Sequence, residues 1–457
     1  MNKILGYVGI DRAVAYTLAA RGWSLISGIV TMLLVVSYLT PDEQGYYYTF
    51  ASLLAMQIFF ELGMSVVVMQ FASHEMAHLC WTKMGTIEGD GKAKSRLRSL
   101  WILVTKWYGI IAALIIVVIL PIGWIFFSKI HSELAVSWQV AWVWLILAAA
   151  INMCCMPFLA LLEGCGCVTE VARLRMIQNI IGSLLAWMVL VGGGGLLALS
   201  AMNSGLAATV LVWLWRTKRI FLINLLSQNV PGVIIKWKTE IWPFQWRIAL
   251  SWLSGYFIFQ LFTPILFAYH GSIEAGKMGI SISIANALMS VAVAWINTKA
   301  PSFGSLIAKK NYFELDRVFV LALSQSLAVM LVMGFCLCVI NFTLHVEQVQ
   351  FAYRILDPLP FCLLVVATTC AYVTYAQAVY LRAHKEEPFM LMSLISAVLI
   401  GGSAIFIGKK YGSMGLMSVY ALVCAIIGIG CGSIIFFSKK NSWQKRDSRE
   451  GLSKGRR

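Results

Sequence analysis

Apolar runs near 20 residues recur twelve times along this chain, at 13–38, 46–71, 101–127, 138–162, 176–197, 200–215, 246–269, 278–299, 318–342, 354–380, 389–408 and 414–437. As helices, runs of this length cross a hydrocarbon core of about 30 Å. Of 457 residues, 60% are apolar and 12% are charged, about half the charge of a soluble domain. So few charges cannot cover a soluble surface of this size. The 17 Trp, 24 Phe and 16 Tyr suit aromatic belts at membrane interfaces. A soluble enzyme, a DNA-binding domain and a secreted disulfide scaffold are excluded. The expected fold class is an all-α polytopic membrane protein with about twelve transmembrane helices. The turn between the fifth and sixth runs fits several places, because 191–204 holds Gly192-Gly193-Gly194-Gly195 and no charge.

The net charge of +16 is informative through its distribution. With the N-terminus inside, inner segments hold 28 of the 36 Lys and Arg, among them Lys92, Lys94, Arg96, Arg98, Arg216, Lys218, Arg219 and the tail 439–457. Outer loops and span edges hold Lys129, Lys277, Arg354, Lys409 and Lys410; with Arg247 counted at the inner edge of the seventh span, Arg21, Lys106 and Lys299 remain within spans. The positive-inside rule then predicts two cytoplasmic termini and an even number of crossings. The basic tail reads as a topology anchor or lipid-headgroup contact rather than a nucleic-acid arm. Arg12 and Arg21 interrupt the first run, which is too long for a signal-peptide core and lacks a cleavage site, so no cleavable signal is expected. The eleven Cys fall in spans or inner loops. Cys154-Cys155, Cys165 and Cys167 lack nearby His partners and read as small apolar residues.

The chain carries signs of duplication. Glu43-Gln44-Gly45 follows the first run and Glu274-Ala275-Gly276 the seventh. Leu162-Glu163-Gly164 ends the fourth and Leu381-Arg382-Ala383 the tenth. Ser204-Gly205-Leu206 opens the sixth and Met414-Gly415-Leu416 the twelfth. Two six-span copies in the same orientation follow the parallel-repeat transporter plan, with a substrate site between the halves. The expected organisation is an N-terminal six-helix bundle over 1–225, a C-terminal one over 226–438, a central cavity between them, and a basic cytoplasmic tail over 439–457.

Polar residues inside the bilayer are costly and mark functional sites by default. Thr17, Arg21, Ser24, Gly28 and Thr31 share one face of the first helix. The seventh span opens with Arg247, Ser251 and Ser254, and the eighth carries Ser283, Asn286, Ser290 and Asn297. Helix-packing glue is the competing reading of the small and hydroxylated residues. Arg21 lies about nine residues from the inner edge, roughly 13 Å deep at 1.5 Å per residue. Glu61 has similar depth. The two form either an ion pair, or a phosphate ligand and a protonatable coupling group. Arg247, Lys106 and Lys299 lie nearer the inner interface, within reach of snorkelling. The candidate substrate-binding residues are Arg21, Arg247, Lys299, Ser24 and Asn286, with Glu61 as the coupling or ion-pair residue.

His74-Glu75-Met76-Ala77-His78 matches the zincin pattern of two His one turn apart with a Glu base. Catalytic zinc needs a third protein ligand. The candidate, Asp357, falls at the outer end of the tenth span while the His pair lies at the inner end of the second, so the bilayer separates them. An intramembrane metalloprotease using His74, Glu75 and His78 is the weakest alternative.

Pro41-Asp42-Glu43-Gln44-Gly45-Tyr46-Tyr47, then Ser52-Leu53, then Glu61-Leu62-Gly63-Met64, resemble the first hairpin of bacterial polysaccharide repeat-unit (O-antigen, lipid-linked oligosaccharide) flippases. These belong to the multidrug/oligosaccharidyl-lipid/polysaccharide exporter (MOP) superfamily. Glu163-Gly164 and Tyr411-Gly412-Ser413-Met414-Gly415 are also similar to the family, whereas Gln70 stands where a basic residue is usual. The resemblance implies two six-helix bundles around a cavity that opens alternately to cytoplasm and periplasm. The implied cargo is an undecaprenyl-pyrophosphate-linked oligosaccharide moved from the inner to the outer leaflet, as in lipopolysaccharide and other polysaccharide biosynthesis. It implies no cofactor, no metal and no nucleic-acid partner. The partners expected are membrane lipids, a proton or sodium ion for coupling, and polysaccharide polymerase machinery. The location implied is the bacterial inner membrane. A cation-coupled multidrug exporter of the same superfamily is the alternative, although such exporters favour embedded acids over Arg in the first helices. A membrane glycosyltransferase or polymerase is disfavoured by outer loops of only about ten residues.

Overall fold

Thr40 and Glu43 show how the sequence sets a helix start. The Thr40 hydroxyl accepts from the Glu43 N–H at 3.2 Å, the Glu43 carboxylate accepts from the Thr40 N–H at 2.9 Å, and Pro41 occupies the first turn. This reciprocal cap satisfies two donors that a helix leaves orphaned. The Pro-Asp-Glu-Gln-Gly motif is thus a helix entry.

The computed structural model describes residues 12–82, 85–129, 136–227, 235–384 and 388–454. In the first half these form α1 (Arg12–Tyr38), α2 (Pro41–Leu54), α3 (Ile58–Glu61), α4 (Met64–Met76), α5 (Gly91–Leu114), α6 (Leu120–Ser128), α7 (Gln139–Gly164), α8 (Val168–Val191), α9 (Leu197–Trp213) and α10 (Arg219–Ser227). In the second half they form α11 (Trp242–Phe259), α12 (Phe262–His270), α13 (Ser272–Ala308), α14 (Tyr312–Val346), α15 (Pro358–Ala383), α16 (Met390–Val423) and α17 (Gly432–Lys454). Wider π turns at Ile115–Ile119, Leu214–Lys218 and Cys424–Cys431 join α5 to α6, α9 to α10, and α16 to α17.

Among the described residues, nine helices are long and apolar enough to cross a membrane, or ten when the bent pair Pro41–Glu61 and Met64–Met76 is one span. The expected twelve are recovered by two further observations. The run Met390–Trp443 contains a break at Gly412, with φ 59° and ψ −147°, which separates spans eleven and twelve. Span seven is divided into α11 and α12.

One element had no counterpart in the sequence reading. Between α4 and α5 lies an antiparallel hairpin, β1 (Leu79–Trp81) and β2 (Ile87–Gly89), with Leu79 opposite Gly89 and Trp81 opposite Ile87. Trp81 fastens it, donating its indole N–H to the Cys165 carbonyl at 2.7 Å and packing its ring 5.0 Å from Phe221. Lys218 stands 5.2 Å above the same ring and pairs with Glu170 at 2.7 Å.

The described chain divides into two compact units, Met1–Leu253 and Ser254–Arg457. The first unit extends past the 225/226 boundary expected from the sequence because residues 235–245 are fastened to α5. The Ile235 N–H donates to Ser99 Oγ at 3.0 Å, Trp237 packs 5.6 Å from Trp107, and Glu240 pairs with Arg96 at 2.7 Å. Its core includes the aromatic cluster Tyr46, Phe50, Phe127, Trp138 and Trp142. In the second unit, Phe303, Phe319, Tyr380 and Phe436 pack together. The start of the basic tail docks on them through Lys440–Asp316 at 2.8 Å and Trp443 stacked 3.9 Å from His384.

Within the units, two of the three repeat matches occupy like places. Glu43 and Glu274 are each the third residue of their helix, α2 and α13. Leu162-Glu163-Gly164 and Leu381-Arg382-Ala383 are the last three residues of α7 and α15. The third match fails: Gly205 lies midway along α9 against Leu185, whereas Gly415 follows the Gly412 break by three residues.

Candidate functional site

The first helix joins α8 through its polar face. Trp23 donates its indole N–H to the Asn179 carbonyl at 3.3 Å and to Ser183 Oγ at 3.0 Å. Trp187 donates to Thr31 Oγ1 at 2.8 Å, and Asn179 Nδ2 reaches Ser24 Oγ at 3.4 Å. Ser24 and Thr31 are thus engaged in docking α1 on α8. Two other members of the stripe remain open: Gly28 has no neighbour where a side chain would stand, and Arg21 is exposed. Among the described residues, Arg21 makes no hydrogen bond or ion pair. Asn179 and Ser183 were missed by the sequence reading, which searched the first two spans of each half. Their spacing of four on span five was the available signal.

Glu61 occupies the break in the second span. Leu62 and Gly63 both take left-handed backbone, with φ of 52° and 67°, and the helix changes direction by 43°. A non-glycine residue in that conformation costs about 1–2 kcal/mol, and such outliers cluster at functional sites. The Glu61 side chain is 7% exposed. It accepts a hydrogen bond from Ser65 Oγ at 2.8 Å, in the first turn of α4, and another from the Tyr108 hydroxyl of α5 at 3.2 Å. The Arg21–Glu61 ion pair is not formed: Glu61 turns toward α4 and α5, while α1 is committed to α8. Two hydroxyl donors satisfy the carboxylate without a cation among the described residues. An ionisable residue at the break of a membrane helix is a functional-site candidate by default.

In the second unit, Asn286 of α13 borders a cavity of about 20 Å³, room for one water-sized molecule, together with Phe262, Met289, Thr368 and Tyr420. Ser283 and Ser290 turn their hydroxyls to Gly279 and Ala287 carbonyls of their own helix. Asn297 accepts from the Tyr375 hydroxyl at 2.9 Å. Lys299 is exposed, and among the described residues its ammonium, like that of Lys106, makes no hydrogen bond or ion pair. Lys299 stands thirteen residues beyond Asn286 on α13, about 20 Å along the helix, so the two do not share one subsite. The backbone of Arg247 lies in α11; its side chain falls outside the described residues, as do those of Ser251 and Ser254.

The His-Glu-x-x-His segment is put to structural use. The Glu75 carboxylate is held by Arg96 Nε at 2.7 Å, and the same guanidinium reaches Glu240 at 2.7 Å. The helix ends at Met76, before His78, and both His are exposed. A base engaged with a guanidinium and a ligand pair off the helix do not fit the zincin geometry. Among the described residues, no three His, Cys, Asp or Glu side chains converge as a metal site.

No family model and no curated protein matches this chain. Solved structures match its fold over nearly its whole length. An inward-facing multidrug resistance MATE family transporter of the MOP superfamily aligns at 15% identity with a TM-score of 0.62, covering 96% of this chain and 99% of that one. The lipid II flippase MurJ, in an inward closed conformation, aligns at 11% identity with a TM-score of 0.65, covering 93% and 87%. A MATE multidrug transporter in complex with R6G aligns at 12% with a TM-score of 0.58, covering 94% and 96%. These neighbours are membrane transporters and a flippase, not enzymes. The chain is a multi-pass membrane protein with the fold of the MOP superfamily transporters.

Proposed function

We propose that this protein is a flippase that moves an undecaprenyl-pyrophosphate-linked oligosaccharide from the cytoplasmic to the periplasmic leaflet of the bacterial inner membrane by alternating access. The observation that carries this reading is Arg21. It lies nine residues into α1, exposed, and without a counter-ion among the described residues. A guanidinium at such depth is expensive unless an anion meets it, and its fork of donors suits phosphate oxygens. Lys299 and Lys106 extend the same preference for an anionic cargo. The sugar needs a polar path, while the lipid tail stays in hydrocarbon. Polymerase machinery would receive the delivered repeat unit.

Glu61 favours a second reading, a cation-coupled multidrug exporter. A buried carboxylate without a cationic partner among the described residues suits coupling to a proton or sodium ion. Coupling also serves a flippase, so Glu61 alone does not reverse the preference. The test is deletion of the gene, followed by analysis of surface polysaccharide and lipid-linked intermediates. Completed, unpolymerised repeat units are expected to accumulate on the cytoplasmic side. Unchanged polysaccharide together with increased sensitivity to cationic drugs would reject the flippase reading in favour of the exporter.

A further inference from the structure

Helices α14 and α15 run antiparallel within the second unit, and three contacts fix their register. Asn341 Nδ2 donates to the Leu356 carbonyl at 3.1 Å. A side chain at Gly334 would stand 2.8 Å from Val365. The Ser326 hydroxyl hydrogen-bonds to the Tyr372 hydroxyl. Seven or eight residues along one helix thus correspond to seven to nine along the other. This register brings Cys338 opposite the first turns of α15, where Cys362 lies. Cys338 stands one turn beyond Gly334 and Cys362 one turn before Val365, so the two lie on facing turns where the helices meet. Both thiols are partly exposed, while Cys336, two residues away, is more open.

We propose that Cys338 and Cys362 form a dithiol site that closes to a disulfide when it meets a disulfide-type oxidant, stapling α14 to α15. One cysteine, as thiolate, attacks the S–S bond of the oxidant; a mixed disulfide forms and the first oxidant thiolate leaves, taking up a proton. The neighbouring cysteine then attacks the cysteine sulfur of that mixed disulfide, and the second oxidant thiolate leaves. Two protein thiols are oxidised by two electrons, and one oxidant disulfide is reduced to two thiols. Because the register sets the second thiol on the facing turn, closure outcompetes attack on another oxidant molecule. In the topology proposed above, both residues lie in the outer halves of their spans. Only that compartment assignment rests on the functional reading.

The test treats the purified full-length protein with 4,4′-dithiodipyridine, then maps its thiols and cross-linked peptides without reduction. The expected product is one linkage between the Cys338 and Cys362 peptides, with two pyridinethione equivalents released from this pair. In C338S or C362S the remaining thiol should stop as a mixed disulfide after one equivalent, and C336S should behave as the parent. Cys338 and Cys362 both ending as mixed disulfides in the parent, or either linking instead to Cys336, would overturn the proposal. No transport readout enters, so loss of the flippase reading leaves the result intact. Alkylation in intact cells tests the compartment separately: linkage by the added oxidant with free thiols in cells would reject the outer placement while the dithiol stands.

Discussion

A guanidinium held in α1 without an acid beside it among the described residues has donors to spare for a ligand. Its planar fork binds phosphate through parallel hydrogen bonds that an ammonium cannot reproduce. Arg21→Ala is therefore expected to abolish complementation of polysaccharide synthesis, and Arg21→Lys to lose most of it, with both proteins inserted at parental levels. Had Arg21 paired with Glu61, the double Ala variant would recover function, because no charge would be left alone. Glu61 instead takes its hydrogen bonds from Ser65 and Tyr108. The double variant should therefore be no better than the worse single one, and recovery would restore the ion pair. Full activity of Arg21→Ala would remove the residue from the mechanism. Glu240 offers a test of different kind. The Lys236 N–H first, then the Arg96 guanidinium, hold its carboxyl below the usual carboxylate range. A carboxyl lowered on folding stabilises the protein above its unfolded value, near 4.3, and loses that contribution as pH falls through the folded value. Glu240→Gln should thus melt below the parent at neutral pH, and the gap should narrow as pH falls from about 5 toward 3. A gap independent of pH would show that the carboxylate charge is not what fastens residues 235–245 to α5.

Helices in lipid are written openly in sequence, since a long apolar run has few other structures available. All twelve expected spans coincide with helices, and the paired helix ends at Gly164 and Ala383 were read correctly from local matches. What stayed hidden depends on contacts between distant residues. The β1–β2 hairpin is short and has little intrinsic preference; it persists because Trp81 reaches Cys165 and Phe221. The fate of Ser24 and Thr31 was equally invisible, because a hydroxyl stripe looks the same whether it meets a ligand or another helix. Arg21 was legible as an anomaly of depth, and its lack of a partner among the described residues was not. At Gly164 the close approach is severe: a methyl group there would lie 2.5 Å from the Met69 carbonyl of α4 and 2.6 Å from Ala72 Cβ. The backbone of α4 cannot withdraw without disturbing the Glu61 break. Gly164→Ala is expected to lower stability by about 1–3 kcal/mol, the usual cost of overpacking, measured by thermal melting in detergent. The matched residue in the second repeat, Ala383, already carries that methyl group, so Ala383→Gly should have a much smaller effect. Equal effects at both sites would mean that the α4–α7 contact is not a tight one.

For the molecule as a whole, orientation is argued from charge, because a bundle of helices fits a membrane either way up. Cytoplasmic loops keep Lys and Arg, which resist translocation, and short loops obey the bias most strongly. Here Lys92 and Lys94 open α5, Arg216, Lys218 and Arg219 end the sixth span, and the tail is basic to Arg457. The opposite ends carry few cations, and three of them are engaged locally: Lys277 pairs with Glu274 at 2.9 Å, while Lys409 and Lys410 lie 5.2 Å from the rings of Tyr269 and Tyr411. Single cysteines at exposed positions convert this into a measurement, in a variant whose native cysteines are replaced. Lys409→Cys should react with an impermeant maleimide in intact cells. Lys92→Cys and Ser442→Cys should react only after permeabilisation. The two inner probes lie far apart in sequence, so agreement between them requires an even number of crossings from α5 to the tail. Labelling of Lys92→Cys from outside and Lys409→Cys only after permeabilisation would invert the protein in the membrane. Arg21, near the start of α1, would then face the periplasmic half, out of reach of a phosphate arriving from the cytoplasmic leaflet.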